Sequence, residues 1–286
     1  MSKKVIISSD STVDLSEELI KKHGISISHM PITVGDKQYT DGVDIFPQDL
    51  FEYTRATGQL AKTSALNTAS FTDYFSKLAA DGDEVVHFCI SASMSGSYNF
   101  ARLAAEEMQG IYVIDSANLS TGIGLLVLEA CELAEQGKSG AEIVEQIEKL
   151  KPCVDASFVI DTLEFLHKGG RCSTVAMLGA NMLKLKPCIE VTNGAMTVGK
   201  KYRGKLADVL KTYAQERFAN PENAVDKRAF VTHTCEDDSV AEGIADYVRS
   251  TGIFKEVIVT KAGCTISAHC GPNTLGVLYI RKTPKE

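Results

Sequence analysis

The sequence predicts an α/β fold built as two lobes, residues 1–152 and 153–286, and three observations carry that reading. Short apolar runs of strand length alternate with helical stretches, the pattern of a parallel sheet layered with helices. Near Pro152 the alternation restarts without a Gly/Ser/Pro-rich linker, so the lobes should touch and leave a cleft between them. Polar clusters (Asp10-Ser11, Thr63-Ser64, Ser91 to Ser97, Asp115-Ser116) fall after strands or between elements, the edge where open α/β sheets bind ligands.

In the first lobe, Lys4 to Ser8 reads as a strand running into the polar loop Ser9 to Asp14. A helix from about Ser16 to Lys22 follows, capped by Asp14 or Ser16 and stopped at Gly24. Ser26 to Val34 and Lys37 to Thr40 flank Gly35-Asp36, a hairpin signal. Pro47 opens a helix that Gly58 closes, and Thr63-Ser64 sits in a polar connection before a helix from Ser70 to Ala80. The strand–loop–helix unit recurs at residues 84–108. Its strand Glu84 to Ile90 is apolar, and its helix Tyr98 to Met108 carries apolar residues at helical spacing. Between them lies Ser91-Ala92-Ser93-Met94-Ser95-Gly96-Ser97, where free N–H groups at a helix start join four serines in an anion-binding candidate. The plainer alternative is that Ser95 or Ser97 only caps the helix. A strand Ile111 to Ile114 and helices Leu119 to Gln136 and Gly140 to Lys151 complete the lobe.

The second lobe opens with a strand, Ser157 to Ile160, and a short helix, Leu163 to Arg171, that breaks into a glycine turn. Ile189 to Thr192 and Met196 to Lys201 flank Asn193-Gly194, the strongest hairpin signal in the chain. Helix Leu206 to Phe218, strand Ala229 to His233, helix Ser239 to Arg249 and strand Glu256 to Lys261 follow. Cys264 to Asn273 reads as a loop before a closing strand, Leu275 to Ile280.

The totals exclude several functions. A formal charge of −7 with no Lys/Arg-rich run argues against a nucleic-acid surface. The apolar start after Met1 is too short for a secretory signal, and Gly124 to Leu128 meets Glu129 and Glu132 before it could span a bilayer. Eight scattered cysteines without C-x-x-C give neither a zinc site nor a disulfide framework, which points to the reducing cytoplasm.

Catalytic motifs fare no better. Around Ser95 the nucleophile elbow G-x-S-x-G fails, since Ser93 and Ser97 stand at its glycine positions. His269 is a conceivable base with no assignable acid, so a serine hydrolase or acyltransferase using Ser95 stays an alternative. Walker A is absent, and Gly122-Ile123-Gly124 lies within a helix, unlike a dinucleotide site. His87 sits in a strand pattern and reads as a core residue. Arg171 is carried on a glycine turn, where an ordinary solvated arginine is the favoured reading. No carboxylate pair or H-E-x-x-H suggests metal or acid–base chemistry. The residues alone offer a hydroxyl-lined anion pocket, which also suits a binding module for a small anionic metabolite.

Eight segments together resemble the DegV family of bacterial fatty-acid-binding proteins. They are Asp10 to Leu15, Tyr39 to Asp44, Thr63-Ser64, Ser91 to Tyr98, Val113 to Ser116, Leu166 to Arg171, Lys184 to Pro187 and His269 to Pro272. The resemblance implies a non-catalytic carrier with a ligand tunnel at or near the junction of its lobes. It holds one long-chain fatty acid, needs no other cofactor or metal, and presents the carboxylate to a separate ATP-using fatty acid kinase subunit. The acyl phosphate so formed feeds phospholipid synthesis. On that pattern Thr63, Ser64, Ser95, Gly96 and Ser97 form the carboxylate site, while Arg171 and His269 form a second polar layer or face the partner. Two departures are visible: Ala65-Leu66-Asn67 lacks a proline common in the family, and Ser97 stands where Thr is frequent. Helices such as Gly124 to Leu128 and Met177 to Leu183 would line the tail tunnel, although periodicity does not separate a tunnel wall from a filled core and core is the default for each residue singly.

Overall fold

A computed structural model describes residues 4–80, 83–172 and 185–284 of the chain. The expected tunnel helix at 177–183, and Lys184 of the resemblance, lie outside them. In the first half the elements run β1 (Val5–Asp10), α1 (Glu17–His23), β2 (Ser26–Ser28), β3 (Pro31–Val34), β4 (Lys37–Thr40), α2 (Pro47–Thr57) and β5 (Lys62–Thr63). They continue with α3 (Thr68–Leu78), β6 (Glu84–Cys89), α4 (Ser97–Ala105), β7 (Ile111–Asp115), α5 (Thr121–Glu135) and α6 (Gly140–Leu150). The second half holds β8 (Val154–Asp155), β9 (Ser157–Val159), α7 (Glu164–Gly169), β10 (Leu185–Thr192), β11 (Ala195–Arg203) and α8 (Leu206–Arg217). It closes with β12 (Ala224–His233), α9 (Asp238–Ser250), β13 (Glu256–Lys261), α10 (Cys264–Cys270) and β14 (Leu275–Arg281).

The fold is mixed α/β, as expected. Strands β2-β1-β6-β7 form a wholly parallel sheet. The predicted strand Ser26 to Val34 is divided: β2 stays beside β1, while β3 leaves to pair with β4 and β5. Pro31 opens β3, where a missing N–H is harmless at a strand's first residue. The polar connection at Thr63 is therefore a short strand, and that fixes its side chain.

The second half does not repeat the parallel pattern. Its sheet runs β11-β10-β9-β14-β12-β13, with β8 beside β14, and only the β12–β13 pair is parallel. The closing strand enters the middle of this sheet, antiparallel to both neighbours. One core cluster joins the halves, placing Ile7, Val86 and Phe88 in contact continuity with Ile160, Ile189 and Phe230. Helix α5 crosses between the sheets, touching β1 and β14, which explains why its residues 121–128 are buried on every side, while Glu129 and Glu132 further along pair with Lys227 and Arg228. A β-carbon on Gly124 would lie 2.8 Å from the Leu15 side chain, so this glycine serves helix packing. Leu125 to Leu128 are at most 1 % exposed and belong to that core. They do not line the cavity described below, so the core default holds for them and the tunnel wall does not. Their packing partners are side chains on every face.

Candidate functional site

Loops from both halves meet at a cavity whose apolar walls are Met30, Ile90, Met94, Leu119, Met196 and Ile266. Thr63, Ser64, Ser95, Arg171, Thr265 and His269 supply its polar side chains. The space is narrow: the cavity measures about 60 Å³, against about 550 Å³ when all non-atom space out to the open mouth is counted. A second narrow apolar cavity shares Leu119, Ile266 and Cys270 as lining, so the two abut. Thr63, Arg171 and His269 also line an open groove with Lys62 and Lys168, which puts cations at the polar side of the cavity.

The serine loop is tightly held. Met94 N–H and Ser95 N–H donate to Ser91 O at 2.9 and 3.1 Å, and Ser95 Oγ accepts from Ser97 N–H at 3.2 Å. Ser91 Oγ donates to Gly194 O at 2.6 Å, binding the loop to the β10–β11 turn. That turn needs positive φ at Asn193 (49°) and Gly194 (78°), the conformation an Asn-Gly pair favours. Ser95, one residue before the Gly96 N-cap, therefore both accepts from the first N–H of α4 and lines the cavity. Gly96 is the exposed residue before α4, and Ser97 is fully buried; neither lines the cavity.

Thr63 and His269 meet directly, Oγ1 to Nε2 at 2.8 Å. Burial, helped by the nearby Arg171 charge, pulls the His269 pKa down to about 4, so the ring is neutral near pH 7. Its Nδ1 is buried without a hydrogen-bond partner among the described residues. Gly169 packs on it so closely that any β-carbon at that position would collide with Nδ1. Arg171 is exposed and donates to Gly169 O at 2.7 Å. With Nε2 engaged by Thr63, His269 is not hydrogen-bonded to Ser95, and no Ser95–His269 couple is assembled.

His269 lies in the last turn of a helix, α10, where a loop was expected. The helix has no capping side chain of its own, because its N-cap is Gly263. Its first N–H groups are capped by carboxylates from the other end of the chain: Gly263 N–H donates to Asp14 Oδ1 and Cys264 N–H to Asp41 Oδ1, both at 2.8 Å. Local signals could not announce such a helix. Asp14 consequently does not cap α1; Ser16 Oγ does, accepting from Leu19 N–H.

Asp10, Asp14 and Asp41 are all buried, and sequence reasoning assigned none of them to the site. Asp10 Oδ2 accepts from Ile90 N–H at 2.9 Å, just before the serine loop. Burial pushes its pKa up to about 6, and burial likewise raises that of Asp14. The signal that existed was two Asp-rich turns, Asp10 to Asp14 and Asp41 to Asp44. His87 is a core residue, as expected: fully buried, bonded to Ser8 Oγ at 2.9 Å and ringed by Phe71, Tyr74 and Phe75.

A family model described as "Uncharacterised protein, DegV family" matches residues 4–282. The chain belongs to the DegV family. A DegV domain-containing protein of Clostridium acetobutylicum is 33 % identical over 98 % of this chain and 99 % of its own length. Another, from Caldanaerobacter subterraneus subsp. tengcongensis, is 30 % identical with the same coverage. Among solved structures, a DegV family protein of Thermus thermophilus described for fatty acid binding superposes with a TM-score of 0.89 at 28 % identity, covering 97 % of this chain and 99 % of that one. A stearic acid-binding protein of Eubacterium ventriosum gives 0.84 at 28 % identity, with 99 % of each chain covered. The first of these structures thus shares the fold over nearly the whole of both chains.

Proposed function

We propose that this protein binds one long-chain fatty acid, with its carboxylate at Thr63, Ser64 and Ser95 and its tail between the Met30, Met94 and Met196 walls. The observation that carries the reading is a single cavity with greasy walls and a hydroxyl, imidazole and guanidinium cluster on its polar side. The fatty acids bound by the Thermus and Eubacterium relatives support it. At ~0.8 kcal/mol per buried methylene, a tail of about sixteen carbons contributes on the order of 12 kcal/mol gross, reduced by ordering costs. A buried carboxylate without donors would be expensive, which gives the hydroxyls and loop N–H groups their purpose.

Such a tail needs roughly 480 Å³ if each methylene takes about the ~30 Å³ share of a liquid water. The empty cavities are smaller, so the tail enters by displacing wall side chains. Three methionines suit that task, being unbranched and readily repacked.

The same geometry supports a carrier role. With Thr63, Arg171 and His269 shared between cavity and groove, a carboxylate at Thr63 stands beside Lys62 and Lys168, which would draw an anionic phosphoryl donor. We infer that a separate ATP-dependent fatty acid kinase takes the presented carboxylate there, in the cytoplasm, to make acyl phosphate for phospholipid synthesis. Organic extraction and mass spectrometry of the purified protein test the first step. A stoichiometric long-chain fatty acid is expected, and absence of lipid, with no uptake of added palmitate, would overturn it. Labelling of Ser95 by a fluorophosphonate would instead favour a hydrolase.

A further inference from the structure

Helix α10 is the wall that carries His269, and nothing in its own sequence starts it. Its N-cap is a glycine, and its seven residues, rich in Cys, Ser and Thr, are weak helix formers. Both cap carboxylates come from the first half of the chain, 249 and 223 residues away. Asp41 makes the larger contribution. Oδ1 accepts from Cys264 N–H at 2.8 Å; Oδ2 accepts from Thr265 N–H at 3.0 Å, Thr265 Oγ1 at 2.6 Å and Ser11 Oγ at 3.1 Å. Gly263 is what lets them in: a β-carbon there would stand 3.2 Å from Asp14 Oδ1 and 3.3 Å from Asp41 Oδ1.

The same aspartate is tied to the opposite wall. Asp41 N–H donates to Met30 O at 2.9 Å, and Met30 N–H donates to Ser11 Oγ at 3.1 Å, so the hydroxyl that Asp41 accepts also holds the cavity residue Met30. One buried carboxylate, 1 % exposed, thereby fixes the helix bearing His269 relative to the strand preceding Met30. The opposite end of α10 is where His269 meets Thr63 on β5, and β5 pairs with β3, the strand that follows Met30. The structure thus closes a ring: Asp41, α10, His269, Thr63, β3, Met30 and back to Asp41.

We propose that Asp41 is a positioning residue, setting the His269 ring against Thr63 through the cap of α10. This rests on the fatty-acid reading for its effect on ligand, though not for its effect on the ring. The two caps differ in what an amide can replace. In Asp14→Asn the amide oxygen still accepts from Gly263 N–H, while its NH2 finds Ser120 Oγ, which can turn and accept. In Asp41→Asn either orientation of the amide forces NH2 against a backbone N–H, that of Cys264 or that of Thr265.

The test is ring 15N NMR of the ligand-free protein, with the His269 signal assigned by its loss in His269→Gln, together with titration by the fluorescent fatty acid cis-parinaric acid. Asp41→Asn is expected to move the His269 resonances, to leave those of His23, His87 and His233 in place, and to weaken parinarate binding roughly tenfold. Asp14→Asn is expected to do both to a far smaller degree. If Asp41→Asn proves too unstable to study, Thr265→Val removes only the hydroxyl donor and should shift His269 in the same direction. A variant whose melting temperature falls while the His269 resonances stay at the wild-type position would overturn the proposal, as would equal effects from Asp14→Asn and Asp41→Asn. A shifted ring in Asp41→Asn with no parinarate binding by the wild type would sink the fatty-acid reading and leave the positioning role standing.

Discussion

Single side chains here do different work depending on whether they are fastened by backbone or by one another. Ser95 faces the cavity from a loop held mainly by backbone bonds, so Ser95→Ala should cost only about 1 kcal/mol, from the lost acceptor for Ser97 N–H, while releasing bound fatty acid faster. Stopped-flow transfer of parinarate to acceptor vesicles measures this, and an unchanged rate would remove Ser95 from the head-group site. Arg171 is exposed and, among the described residues, bonds its own turn, so Arg171→Ala should keep the lipid but lower acyl-phosphate formation by an added kinase. The buried titrating groups oppose each other in pH. His269, at about 4 against 6.5, binds fewer protons folded than unfolded across that window, so it costs stability as pH falls from 6.5 to 4. Asp10, at about 6 against 3.8, binds more protons folded than unfolded, so its contribution is lost as pH rises from 3.8 to 6. Melting curves between pH 4 and 7 should therefore flatten on the acid side in His269→Gln and tilt the opposite way in Asp10→Asn.

Among elements, those with a local signal were readable and those capped from afar were not. Helix α6 has its capping box at Ser139 and Glu142, and α3 its Asn67 cap, so both were legible to within about a turn. The Asn193-Gly194 hairpin was equally plain. Its second role was not: a β-carbon on Gly194 would lie 2.7 Å from Ser91 Oγ, the atom that fastens the serine loop. Gly194→Ala is accordingly expected to cost about 1–3 kcal/mol in urea unfolding, from positive φ plus crowding, and to speed lipid release as Ser95→Ala does. Helix α10 was read as a loop because its cap donors and acceptors are separated by more than two hundred residues.

Across the whole molecule, the shared core makes the halves interdependent. Side chains from β1, β6 and α5 pack in one cluster with those of β9, β10 and β12. Differential scanning calorimetry should therefore show one cooperative transition, rather than one for each of residues 1–152 and 153–286, and saturating palmitate should raise its midpoint. At a free ligand concentration 100 times Kd the added stability is about 2.7 kcal/mol.

By itself the sequence determined the strand and helix alternation, the hydroxyl loop at a strand end, the two hairpins and the core status of His87, since each is written in residues within one turn or one strand. Its resemblance to the DegV family named the side chains Thr63, Ser64, Ser95, Arg171 and His269. Only the tertiary structure decided that these five share a cavity, that Ser97 is buried away from it, and that Asp14 and Asp41 begin the helix carrying His269. Those outcomes depend on which distant backbone N–H groups find a carboxylate when two sheets close over one core, and no local pattern encodes that pairing.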